Sequence, residues 1–166
     1  MKYFLLLGAV FIVTISCFAQ ANFPSNEEVS DLMNKANEKV NGFEKAIEAA
    51  KPFIPQDQFA KDTDAAATAH QIINTLNKNG PTAYALVGLV ITLDDLVIDA
   101  CVNSQDVLRD ELKAATTGKP TNIAALSSVI LLNASATDCL DISELIGHAT
   151  LRFINVEETL LAKLMK

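Results

Sequence analysis

Three carboxylates, Asp94, Asp95 and Asp99, interrupt a strongly apolar stretch of this chain, Ala83 to Val102. On a helix, Asp95 and Asp99 are one turn apart and share a face, while Asp94 points elsewhere. Two carboxylates on a buried face can hold a cation or share a proton. The same residues can simply be a helix's solvent edge, and that is the expectation here. A metal site would want further ligands, and neither His70 nor His148 falls at ligand spacing. The sequence has no H-E-x-x-H, no G-x-S-x-G, no glycine loop for phosphate and no C-x-x-C. The chain is read as non-enzymatic, with no catalytic residue, metal or cofactor assigned.

The other reactive groups are thiols, and their reading depends on the first 21 residues. Met1-Lys2 is a short basic start, Tyr3 to Ile15 is almost wholly apolar, and Ala19-Gln20-Ala21 offers a small-residue cleavage site. This is the pattern of a secretory signal peptide, and it is too short for a membrane span of about 20 apolar residues. The expectation is a signal at 1–21, a single mature domain at 22–166 and a secreted, extracellular protein with no transmembrane segment in the mature chain. Cys17 would leave with the signal, and Cys101 and Cys139 would meet an oxidising compartment. If the last two helices turn at about Gly118-Lys119, the two cysteines lie at heights differing by only about 5 Å. A Cys101–Cys139 disulfide is therefore expected, worth about 4 kcal/mol in the chain-entropy model. Asn133-Ala134-Ser135 is an N-glycosylation sequon, so Asn133 is a candidate glycan site.

The elements that must carry these groups read as helices throughout. Ser25 and Glu28 form a capping box ahead of Val29, Leu32, Met33, Ala36, Val40, Phe43, Ile47 and Ala50, which recur every three or four residues. Pro52 and Pro55 end that helix. A second runs from about Gln56 to Lys78, stopped by Asn79-Gly80-Pro81. A third runs from Thr82 to about Ala115. Its stretch Ala83 to Leu93 is apolar nearly all round, which predicts a central, buried helix. Asn103-Ser104 is a candidate kink. A fourth region opens at Thr121 or Asn122, with a candidate break near Asn133 to Asp138 that Ser135 or Thr137 would cap. Strand signals are scarce. The fold class is all-α, a bundle of four long helices or five to six shorter ones.

Net charge narrows the function. The formal charge is −7, and removal of Lys2 makes it more negative, which disfavours nucleic acid and anionic membranes. Half of the residues are hydrophobic, more than a surface needs, so either the core is large or the bundle encloses a cavity. If a cavity exists, Leu86, Gly88, Leu89, Val90, Leu93 and Val97 are the expected lining. The expected function is non-catalytic binding, carrying or sequestering a small hydrophobic ligand such as a fatty acid. The alternative is an interaction protein that engages a host, matrix or immune partner through its acidic helical surface.

Overall fold

The computed structural model describes residues 24–165. The expected signal peptide and the mature start at Asn22 lie outside the described residues. Four helices follow in order: α1 (Asn26–Ala50), α2 (Gln56–Asn79), α3 (Ala83–Thr116) and α4 (Ile123–Leu164). No strand occurs among the described residues.

The helix starts follow from side-chain caps. Ser25 accepts from the amide of Glu28, Thr82 from that of Ala85, and Asn122 from that of Ala125, at 3.0, 3.2 and 3.1 Å. The capping box is only half made: the Glu28 carboxylate meets Arg152 of α4 instead of reaching back. Gly80 and Gly118 take positive φ, 84° and 69°, just past the ends of α2 and α3, where a side chain would be strained.

Each helix packs on two neighbours in a ring, α1–α2–α3–α4–α1, and the diagonal pairs do not approach. Successive helices are joined by short turns and run antiparallel. The axis is filled by Met33, Val40, Phe43 and Ile47 of α1, Ala66, Ala69 and Ile73 of α2, Leu86, Leu89, Leu93 and Leu96 of α3, and Leu132, Ala136, Cys139 and Ile146 of α4.

This ring corrects the expectation of a central helix. With four members, none is central, so α3 must show one side to solvent. Tyr84, Val87, Ile91, Ile98 and Val102 are 90, 37, 54, 60 and 62% exposed along that side. The two expected interruptions are also absent. α3 runs through Asn103-Ser104, and α4 runs through 133–138. Thr137 turns its hydroxyl back onto the carbonyl of Asn133 at 3.0 Å, so it decorates the helix instead of capping a new one. With Leu132, Ala136, Cys139 and Ile142 buried in one stripe, a break there would expose the core.

The helices differ in length. α1 and α2 have 25 and 24 residues, α3 and α4 have 34 and 42. Lys39 pairs with Asp138 and Arg152 with Glu28, which fixes α4 against α1. The distal part of α3 and the start of α4 therefore run past the α1–α2 turn as a two-helix arm. Its tip is tied where the amide of Asn122 donates to Glu111, at 2.6 Å. At the other end α4 runs on past the start of α1, exposing Leu160, Leu161 and Leu164. By length and composition α4 could cross a membrane, with a mean hydropathy of 1.6 over its most apolar window. Its buried stripe is nonetheless an integral side of the ring.

Two glycines inside helices have no packing reason. A methyl added at Gly42 or Gly147 would meet nothing within 4 Å. Gly42→Ala and Gly147→Ala should each raise stability by about 0.5–1 kcal/mol, through the lower backbone entropy of the unfolded chain. Urea unfolding followed by circular dichroism measures this, and a lower midpoint in either variant would contradict the open space around these positions.

Candidate functional site

The polar residues of α3 divide between its two neighbours. Asp94 faces α4, where its carboxylate accepts from the Ser143 hydroxyl at 2.7 Å. Asp99 lies on the α2 side, close enough to raise the pKa of Asp62, and Asp95 is exposed. Asp62 itself is the sharper feature, and sequence reading missed it. It is 1% exposed; one carboxylate oxygen accepts from the Gln58 amide at 2.9 Å, and the other has no partner. Burial pushes its carboxyl up to about 6; the Gln58 hydrogen bond and Lys61 oppose that rise, and the charge of Asp99 adds to it. No signal in the sequence marks Asp62, because Lys61-Asp62-Thr63-Asp64 looks like a solvated face. Among the described residues no three His, Cys, Asp or Glu side chains come together as a metal site.

His70 serves as a bridge. Its Nδ1 lies 2.9 Å from Asn37 Oδ1 and its Nε2 3.4 Å from Glu44 Oε2, so both ring nitrogens are committed to α1. His148 is exposed on α4.

The cysteines do not form the expected disulfide. Ser104 contacts Asn133 and Asp94 contacts Ser143, so α3 and α4 are matched in height much as the hairpin argument required. The angle is what fails. Cys139 belongs to the buried stripe of α4, whereas Cys101 follows the buried Ala100 by one residue and is rotated about 100° away from the core. Both thiols are free. Burial pushes the Cys139 thiol up to about 12, with Asp138 adding to the rise, so it stays protonated and inert. Asn133 sits inside an uninterrupted helix, half-buried, with its Oδ1 accepting from Ser104 at 3.0 Å. The exposed break expected to present the sequon is not there.

The expected cavity lining also divides. Leu86, Leu89 and Leu93 are fully buried core residues, and Val90 and Val97 pack against that core from its edge. None of them lines an open space. Gly88 does. It lies in a groove of about 510 Å³ between α2 and α3, with Ile72, Tyr84, Ala85, Val87 and Ile91 forming apolar walls and Gln71 and Thr75 on the α2 side. The Thr75 hydroxyl is bonded to its own helix, at the carbonyl of Gln71. The missing side chain of Gly88 creates the depth: a Cβ there would come no nearer than 3.9 Å to the Ile72 terminal methyl. The sequence indicated Gly88 through the mixture of small and bulky residues. It gave no pointer to Ile72, because a groove is a relation between two helices. No family model matches the chain, and neither does any curated protein or solved structure.

Two measurements follow from this geometry. Because the folded state holds the Asp62 proton more tightly than the unfolded chain does, its contribution to stability is full below about pH 4 and is lost as pH rises through about 6. Asp62→Asn should therefore be more stable than wild type at pH 8 by about 1–3 kcal/mol, with the difference shrinking towards pH 4. Urea melts across that range test it, and a variant less stable at pH 8 would show that the ionised carboxylate is tolerated. A maleimide reagent should modify Cys101 in the folded protein and Cys139 only after denaturation. Protection of both thiols in the folded state would place Cys101 elsewhere.

Proposed function

We propose that the protein is a secreted, non-catalytic binding protein whose site is the α2–α3 groove, and that its ligand is a small molecule with an apolar body. The observation that carries this reading is the groove beside Gly88, an apolar trough of about 510 Å³, within the range of about 300–1,000 Å³ typical of small-molecule sites. The polar groups at hand are few: the Gln71 amide and the Tyr84 hydroxyl can orient one polar end of a ligand, as a fatty acid would present. The basic, apolar and small-residue pattern of residues 1–21 supports export.

The groove replaces the enclosed cavity of the sequence reading and changes what a filled Gly88 would do. Gly88→Leu would project into open groove, not into a packed core, and glycine disfavours a helix interior by about 1 kcal/mol. The variant should hold or raise its melting temperature and bind a fluorescent fatty acid at least about tenfold more weakly, a loss of about 1.4 kcal/mol. Titration of both proteins with that probe decides. No binding by wild type would refute the reading for this ligand class, and equal binding by the variant would move the site away from Gly88.

A further inference from the structure

The outward side of α3 is an apolar line that starts at the α3 wall of the groove, with Tyr84, Val87 and Ile91, and runs on beyond it. Tyr84, Val87, Ile91, Ile98 and Val102 form one line along it, broken by Asp95 and continued by Gln105, Arg109 and Leu112. The exposed part of the five apolar residues amounts to on the order of 500 Å², at the upper end of what a monomer leaves in one patch. With its polar flanks it approaches the roughly 800 Å² that one partner contributes to a standard interface.

We propose that this line is the contact face of a homodimer, in which α3 packs antiparallel on α3 of a second copy. Charge selects both the occupant and the direction. Turned end for end about a point between Cys101 and Val102, the line complements itself: Ile91 falls opposite Leu112, and the exposed Asp95 comes within one residue of Arg109. A parallel copy would set Asp95 against its own image. Arg109 is available for this exchange, because its present pairing with Asp106 is exposed on both sides, and such pairs contribute little. A lipid surface fits less well, since the Asp95 carboxylate stands in the middle of the line and would enter the apolar layer unpaired. Cys101, exposed near the centre of the face, lies close to its counterpart in the copy and serves as a native reporter. The face shares Tyr84, Val87 and Ile91 with the groove, so a dimer would cover part of that site, but the dimer is measured without ligand and stands or falls separately.

Sedimentation velocity of the ligand-free protein should show a dimer at micromolar concentration. Ile91→Glu with Ile98→Glu should give a monomer with an unchanged circular dichroism spectrum. Asp95→Arg and Arg109→Asp should each weaken the dimer at least tenfold, and combining them should restore it, which general loss of folding would not do. A short bis-maleimide should join two wild-type chains, and Cys101→Ser should abolish that product. A wild-type monomer at high micromolar concentration would overturn the proposal. So would a dimer indifferent to both the glutamate and the charge-swap variants, or binding to zwitterionic vesicles by a chain that stays monomeric.

Discussion

Exclusion of water from the axis of the ring is what the other features rest on. Leu86, Leu89, Leu93 and Leu96 from one side meet Met33, Val40, Phe43 and Ile47 from the other, and all are fully buried. Each such side chain contributes about 1.5–3 kcal/mol relative to leaving it in water. No other class of interaction in the protein is of that size. The ion pairs between helices, Lys39–Asp138 and Arg152–Glu28, are partly exposed and set register more than stability. Phe43 and Phe153 are the only aromatic rings buried in that axis among the described residues, so branched aliphatics and alanine dominate the packing.

Polar groups enter this interior at few points, and each is answered differently. Ser143 donates to Asp94 across α3 and α4, Ser104 meets Asn133 between the same helices, and Thr150 turns its hydroxyl to the carbonyl of Ile146 within its own helix. Those hydroxyls are neutral and satisfied. Asp62 differs in carrying a carboxyl with one oxygen unmatched, and burial holds its proton up to about pH 6, above which the buried charge costs stability. Both the α2–α3 groove and the buried acid lie along the same helix pair.

Helix ends were legible because they are local. Ser25, Thr82 and Asn122 sit where a cap must sit, and Pro55 and Gly80 mark the turns, so the boundaries agree within a residue or two. The heights of Cys101 and Cys139 were legible for the same reason, since rise per residue is constant. Their angular positions were not, because the sequence does not say which of several apolar stripes on α3 turns inward. Ala83 to Leu93 offers apolar residues on every side, and only the presence of exactly two neighbours decides that Leu86 and Leu89 are core while Val87 and Ile91 are surface. Asn133 to Asp138 misled differently: Ser135 and Thr137 suit a cap, yet Thr137 satisfies itself against its own helix. The groove and the Asp62 site both require knowing that α2 lies beside α3, which no single segment encodes.

The order in which helices adjoin around the ring has a kinetic meaning. α1 touches α2, α2 touches α3, and α3 touches α4, all neighbours along the chain, and only the α1–α4 seam joins distant segments. Hairpins can therefore form by short searches, in the manner of chains with mostly local contacts, which fold fast. Closing the last seam brings together segments about a hundred residues apart, Glu28 with Arg152 and Lys39 with Asp138, at an entropic cost that grows only with the logarithm of that separation. That seam is the one place in the ring where chain length, and not a local turn, sets the cost of bringing two helices together.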